Sequence, residues 1–294
     1  MAPVTTAPGL DTTADATHVM TQLPFRFGNE CYTWFMKDDG AAHANRLDHM
    51  IRLTAQAGLT GIEPIHFWMG DLAEPRRLED ALGAAQIDLA AVALVLEWNH
   101  EVETETERAQ ADVVIDLLCE FPGAMLCTVQ LPTGCEDLEA RRLRLADNVN
   151  AVSRRAAERG VPCSFHPNSP PTSINRTERD YEVILERLDA AVTGWTPDVG
   201  HIINGGMDPL ATMKRWQPLI NHVHFKDWDG NPEFALMGDG RVDLVAIGRW
   251  LASWDYNGWI ILEDEAEQAV DDPDGVTLHD GKWLRDTLIP QLVS

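Results

Sequence analysis

Four short polar stretches each close an apolar, strand-like run in the second half of the chain. Their side chains are of the kinds a divalent cation takes as ligands. They are Ser164-Phe165-His166-Pro167-Asn168, Pro197-Asp198-Val199-Gly200-His201, His222-Val223-His224-Phe225-Lys226-Asp227 and Ile260-Ile261-Leu262-Glu263-Asp264-Glu265. The successive steps from His166 to Asp198, from Asp198 to His224 and from His224 to Glu263 are 32, 26 and 39 residues. One strand, loop and helix consume about that much chain in a barrel of roughly 250 residues, whose C-terminal strand ends converge on one point. Two imidazoles and two carboxylates make a mixed shell suited to Mn²⁺, Co²⁺, Zn²⁺ or Fe²⁺, whereas oxygen alone would favour Mg²⁺ or Ca²⁺. Mn²⁺ is the first expectation, with Co²⁺, Zn²⁺, Fe²⁺ and Mg²⁺ as substitutes.

Each residue also has an ordinary reading. A histidine at a strand end is often a hydrogen-bonded structural group, and Asp198 has the position of a helix cap. Glu263 could be a solvated member of an acidic run. Of His222 and His224, one is expected to face the barrel axis and the other to face away. Four such residues at successive strand ends outweigh the separate readings.

The elements that must position them alternate along the chain. Strand-like runs fall at Phe25–Gly28, Gly61–Pro64, Leu89–Leu96, Ala124–Gln130, Pro162–His166, Gly194–Val199, Ile220–Phe225 and Gly258–Glu263. Helical patterns lie between them, among them Arg46–Ala57, Glu107–Phe121, Leu138–Arg159, Asp180–Ala190, Asp208–Leu219 and Asp243–Trp254. Val113, Val114, Leu117 and Leu118 are spaced as one buried helical stripe. Eight strands alternating with helices predict an α/β fold, a closed (β/α)8 TIM barrel, over residues 24–294 as one domain. No glycine-rich nucleotide loop follows the first strand. Residues 1–23, rich in Thr, Ala and Pro, are expected to form a flexible tail. Pro167–Asn175 and Trp228–Gly240 are expected to be long loops over the active face.

Bulk properties narrow the function. The formal charge of −24 repels phosphate backbones and anionic membrane surfaces. No apolar run approaches the roughly 20 residues of a membrane span, and the N-terminus lacks the pattern of a secretory signal. Five scattered cysteines without a CxxC pair fit reduced thiols and a cytoplasmic location. The ten tryptophans suit a carbohydrate ligand, whose C–H faces pack on aromatic rings, and Trp34 and Trp68 are the expected pocket walls.

The segments Asp198-Val199-Gly200-His201, His222 to Asp227, Gly238-Asp239-Gly240-Arg241-Val242-Asp243 and Tyr256 to Glu263 resemble the sugar isomerase/epimerase family of TIM barrels, also called xylose-isomerase-like. The likeness is specific from about Pro162 to Glu265. Over Phe25–Trp68 it is looser, with Gly58-Leu59-Thr60-Gly61-Ile62-Glu63 similar to the second-strand segment. The resemblance implies that Asp198, His224 and Glu263 bind the metal and that His201 sits beside the substrate.

The family's epimerases carry a glutamate at the fifth strand end, and His166 stands there in this chain. A His-Pro pair resembles the inosose dehydratase and keto-sugar lyase branch, with Asn168 where that branch has a second histidine. His166 and Asn168 are therefore both candidates for the fifth-strand ligand.

Chemically, a chelated cation stabilises the enediolate formed when a proton is lost next to a carbonyl. Glu263 or His166 would take that proton, and His201 or Lys226 would protonate a departing group. Glu63, Asn168 and Asp227 are expected substrate contacts, with Lys226 and Asp227 as alternative supports of His224. The expected activity is that of a metal-dependent lyase on a keto-sugar, keto-inositol or 3-keto-glycoside. An isomerase or 3-epimerase on the same metal site is the alternative, and a non-catalytic barrel subunit is the alternative of another class. Expected partners are a small carbohydrate, and a second copy of the chain or a small partner subunit. The related AP endonucleases need DNA to approach, which the acidic surface opposes.

Overall fold

Strand and helix patterns that alternate without a nucleotide loop close into a barrel. The computed structural model, which describes residues 23–36, 45–230 and 234–293, shows one. Its strands are β1 Arg26–Glu30, β2 Gly61–Glu63, β3 Ala91–Leu96, β4 Met125–Gln130, β5 Cys163–His166, β6 Thr193–Trp195, β7 Val223–Phe225 and β8 Trp259–Leu262. All pair in parallel with their neighbours, and β8 returns to β1. Two seams are thin. Ile65 bridges to Ala93 between β2 and β3, and Trp195 bridges to Ile220 between β6 and β7.

The strands are buried on both faces, as parallel strands covered by helices must be. Phe27, Ile62, Val92, Leu126, Phe165, Trp195, Val223 and Ile260 belong to one core. The outer ring comprises α1 Leu47–Gln56, α2 Pro75–Ala85, α3 Glu105–Cys119, α4 Leu138–Glu158, α5 Glu178–Leu185, α6 Pro209–Arg215, α7 Leu244–Ala252 and α8 Pro273–Trp283. Local chemistry starts them. Thr104 and Glu107 form a reciprocal capping box on α3, and Thr177 and Asp180 do so on α5. Proline at the first position with an acidic cap before it opens α2, α6 and α8.

Several expectations need correction. The run Leu89–Leu96 is interrupted at Ala90, leaving Asp88–Leu89 on β2 and Ala91–Leu96 on β4. The sixth strand stops at Trp195 rather than Val199, because Asp198 is already capping a six-residue helix, Val199–Asn204. Val113 is 65% exposed, so the buried stripe of α3 is Ala111, Val114, Ile115, Leu117 and Leu118. The expected loop Trp228–Gly240 contains a short antiparallel pairing of Asp227–Trp228 with Phe234–Ala235. Apart from Leu23, the expected N-terminal tail lies outside the described residues. Among those residues no helix is long and apolar enough to cross a membrane.

His66, in the turn after β2, supplies a pH test of this packing. Its Nδ1 accepts from the Val95 N–H at 3.4 Å, and its Nε2 is buried without a partner. Burial pushes its pKa down to about 4, with a backbone hydrogen bond at Ala93 only partly opposing. A depressed histidine stabilises the fold fully above its ordinary value of about 6.5, and that contribution is lost as pH falls toward the folded value. His66→Gln is expected to flatten the fall in Tm between pH 7 and pH 4.5. Parallel Tm curves for wild type and variant would rule His66 out as the source.

Candidate metal centre

Strand register brings the four expected ligands together. Ile261 pairs with His224 and Leu262 with Phe225, which sets Glu263 beside Lys226 just past β8. Asp198 bridges directly to His224, and His166 ends β5. One ligand atom from each of His166, Asp198, His224 and Glu263 lies within 4.8 Å of the others.

Both readings of Asp198 hold at once. Its Oδ1 accepts from the His201 backbone N–H at 2.8 Å, as a helix cap, and its Oδ2 turns into the cluster. His166 Nε2 stands 3.6 Å from Asp198 Oδ2 and 3.7 Å from Glu263 Oε2. These gaps exceed a hydrogen bond. Both His166 nitrogens are buried without a hydrogen bond, and Asp198 Oδ2 has the Lys226 ammonium 3.1 Å away. Orphaned polar atoms of this kind are costly unless something joins them. Ligands about 2.0–2.2 Å from one cation lie roughly 3 to 3.5 Å apart, so a divalent ion fits this donor set. His166 is the fifth-strand member of this group of imidazoles and carboxylates.

His224 is held at both ring nitrogens. Nδ1 is 2.7 Å from Glu263 Oε2, and Nε2 is 3.1 Å from Glu63 Oε2. The same Glu63 oxygen is 2.7 Å from His222 Nε2. Residues two apart on a strand project to the same side, so both imidazoles meet one carboxylate and the expectation that only one faces inward is wrong. Burial would raise the Glu63 carboxyl, but His224 and His222 together hold it far below its ordinary range. Glu63 was expected to meet a substrate hydroxyl. Its Oε2 is taken by the two imidazoles, which turns His224 Nδ1 toward the cluster, and its Oε1 is buried without a hydrogen bond.

Lys226 is fully buried among charges. Its Nζ lies 2.8 Å from Glu263 Oε1, 3.1 Å from Asp198 Oδ2 and 3.1 Å from His201 Nε2, and it also bonds Glu265. Burial opposes the ammonium, but Asp198, Glu263 and Glu265 more than compensate and keep it charged. Its stem passes where a side chain at residue 200 would stand: a Cβ on Gly200 would lie 2.6 Å from Lys226 Cγ.

The remaining expected contacts divide. Asp227 is not free for substrate, because its two oxygens accept the backbone N–H groups of Trp228, Gly238, Gly240 and Val242 at 2.8 to 3.2 Å. A carboxylate has about four acceptor sites, and all are used. A Cβ at Gly240 would fall 2.1 Å from that carboxylate, which explains the glycine there. Trp34 is 1% exposed and donates its indole to Asp274, so it belongs to the core and does not wall a pocket. Trp68 is half-buried and stacks on Phe35, with Tyr32 nearby. Asn168 ties its Nδ2 to Gln130 O at 2.7 Å, leaving a buried Oδ1 unpartnered.

Two further acids were missed. Glu30 ends β1 and is 3% exposed; burial, then Glu263 and Glu63, push its pKa well up. Glu265 is pushed up to about 7, chiefly by burial, with Lys226 opposing and Glu263 adding. The strand-end rule that found Glu263 would have found Glu30 had it been applied to the first strand.

The sequence pattern of the xylose isomerase-like TIM barrel family matches residues 51–287, and the chain belongs to that family. Among curated proteins it is 25% identical over 288 residues to an inosose dehydratase of Geobacillus kaustophilus, covering 86% of this chain and 91% of the relative. Against further inosose dehydratases, from Bacillus thuringiensis and Bacillus cereus, it spans about half of their length. Among solved structures it superposes on the probable 3-DHS dehydratase AsbF of Bacillus anthracis with a TM-score of 0.70 and 15% identity, covering 88% of this chain and 98% of that one. It matches the IOLI protein, solved with a bound zinc atom, at a TM-score of 0.69 and 16% identity, covering 90% and 98%.

Glu63→Gln keeps an acceptor for both imidazoles but removes the charge behind His224. Metal affinity is expected to fall about 10- to 100-fold with the fold intact, as read by equilibrium dialysis and circular dichroism; unaltered affinity would count against this role. Gly200→Ala should dislodge the Lys226 stem, lowering turnover at least about tenfold while metal content, read by elemental analysis, stays at the wild-type level.

Proposed function

We propose that the chain is a divalent-metal-dependent lyase acting on a keto-sugar, keto-inositol or 3-keto-glycoside by α-proton removal and β-elimination. The observation that carries this reading is the buried His166 imidazole, without a hydrogen bond at either nitrogen, grouped with Asp198, His224 and Glu263. A cation bound there, Mn²⁺ by preference and Zn²⁺, Co²⁺ or Fe²⁺ in its place, would act as a Lewis acid on the substrate carbonyl. The 25% identity to an inosose dehydratase across most of both chains supports the choice of substrate class.

The protein's own groups then divide the work. Glu263 accepts the proton from the carbon next to the carbonyl, and the C–H electron pair forms the enediolate. Its collapse breaks the β carbon–oxygen bond, and the Lys226 ammonium protonates the departing oxygen. Water or an alcohol leaves, and an unsaturated ketone remains. His201, 3.1 Å from Lys226 Nζ, is placed to exchange a proton with it. Burial is the main cause that keeps this imidazole neutral, bringing its pKa down to about 3.

Elimination is favoured over epimerisation because the two faces differ. Epimerisation needs a proton acceptor on one face and a matched donor on the other. Here the fifth-strand group beside Glu263 is the imidazole of His166, 3.7 Å away, where the family's epimerases carry a second carboxylate. Trp68, Phe35 and Tyr32 supply apolar surface for ring C–H faces. Asn168 Oδ1 offers an acceptor to a substrate hydroxyl. The buried, unpaired cysteines Cys31, Cys127 and Cys163 suit a reducing, cytoplasmic setting.

Incubating the Mn²⁺-loaded protein in D₂O with a keto-inositol, a 3-keto-glucoside and a free ketohexose tests this reading. An unsaturated product from one of them is expected. Deuterium in an intact or epimerised sugar would replace the lyase with an isomerase. Protein that purifies without stoichiometric metal and leaves all three unchanged would point to a non-catalytic subunit. His224→Ala and Glu263→Ala should each abolish metal retention and turnover.

A further inference from the structure

We propose that the substrate of this site is a 3-keto-glycoside with a bulky apolar aglycone, and that Val95 and Val129 line the part of the pocket that holds the aglycone. The choice rests on the lyase reading above and goes beyond it by selecting among its substrates. Strand register carries it. In the parallel pairs Val95 lies opposite Val129, and Val129 lies opposite His166. Directly paired residues of neighbouring strands project from the same face of a sheet. His166 belongs to the metal centre, so the two valines continue its row around the inner wall, at the usual interstrand step of about 4.8 Å.

Burial agrees with that placement. Val92, Leu94, Leu96 and Leu126 face the helices and belong to the main core. The alternate residues Met125 and Cys127 form a separate inner cluster with Ala91, and Val129 packs on it. Ala93 and Cys127 are buried, but Val95 and Val129, two residues further along the same face, are half-buried. The inner wall therefore opens to solvent at the two valines, level with His166. The inward residues of β3 are Ala91, Ala93 and Val95, and those of β4 are Met125, Cys127 and Val129. Apart from one buried thiol they offer a sugar hydroxyl no partner.

The apolar wall continues toward the charged side. Ile65 bridges to Ala93 and His66 takes the Val95 N–H, so the turn that carries Trp68 adjoins Val95. Trp68, half-buried, stacks with Tyr32 at 6.4 Å between ring centres. Burial pushes the Tyr32 phenol up to about 12, and Glu265 and Lys226 are the next groups acting on it, which sets this ring at the Lys226 end. Glu30 and Glu63 stand on the same side of the barrel but are buried. A hydroxyl held against valine loses its hydrogen bonds to water without replacement. A keto-inositol and a free ketohexose carry oxygen on every carbon. Of the substrates considered, only a glycoside brings a hydrocarbon portion, joined through the oxygen that Lys226 protonates. The proton next to the carbonyl goes to Glu263, the bond from the sugar to that oxygen breaks, and the aglycone leaves as an alcohol.

The test compares methyl and benzyl 3-keto-glucosides, whose departing alcohols are of similar acidity, on the Mn²⁺-loaded protein. The benzyl compound is expected to show a kcat/KM at least about tenfold higher, the scale on which an apolar pocket rewards added hydrocarbon. Val129→Thr, which keeps the shape and adds a hydroxyl, should cut that preference about threefold or more. Val95→Thr should do the same and serves if Val129→Thr fails to fold. Calorimetry with the unoxidised methyl and benzyl glucosides gives a readout that needs no turnover, and tighter binding of the benzyl compound is expected. Equal kcat/KM for the two glycosides, a keto-inositol converted faster than the benzyl compound, or a preference unmoved in both variants overturns the proposal and leaves the lyase reading standing. Tighter benzyl binding with no elimination from any keto-substrate would sink the lyase reading alone.

Discussion

A surplus of buried negative charge governs this barrel. Glu30, Glu63, Asp198 and Glu263 are all 5% exposed or less at the C-terminal strand ends, with Glu265 half-buried beside them. A carboxylate out of water is costly unless it is paired or protonated. The structure uses every remedy available. Lys226 lies fully buried against three of the acids, Glu63 is ringed by two imidazoles, and Glu30 and Glu265 are driven toward their protonated forms. What remains uncompensated lies between Asp198, Glu263 and the two imidazoles of His166 and His224. A divalent cation satisfies that remainder, so electrostatics and ligand geometry lead independently to the same place.

The same constraint explains features that look incidental in the sequence. Lys226 can reach the acids because residue 200 has no side chain in its way. The residue after it, Asp227, is turned from the site and gathers four backbone amides of the segment 228–242. The first residue neutralises the cluster, and its neighbour fixes the hairpin that covers it. Gly238 and Gly240 follow from this, since Gly238 has a φ of +89° and a Cβ at Gly240 would overlap the Asp227 carboxylate.

The barrel was legible because continuous apolar runs ending in polar residues recur eight times at barrel spacing, and that signal survives errors of a few residues at the strand ends. His166, Asp198, His224 and Glu263 were legible for the same reason. The roles of their neighbours were not. Whether Glu63 meets a hydroxyl or an imidazole depends on His222, more than 150 residues away in sequence. Trp34 and Trp68 each end a short turn after a strand, but one is sealed by the hydrogen bond its indole donates to Asp274 of α8 and the other stacks on Phe35. Helix α2 was passed over because only Leu78 and Leu82 are buried on it, too thin a stripe among charges to stand out.

The asymmetry of the cluster has a chemical meaning that the ligand set alone lacks. Metal-bound groups related by a local mirror would let a proton leave one face and return to the other at similar cost. Here an imidazole nitrogen of His166 lies 3.7 Å from Glu263, while the ammonium of Lys226 and the ring of His201 lie together beside Phe234. A donor set to the side of the reacting carbon serves a departing oxygen better than a returning proton at that carbon. On the proposed lyase reading, the placement of Lys226 and His201 would favour expulsion of a β-substituent.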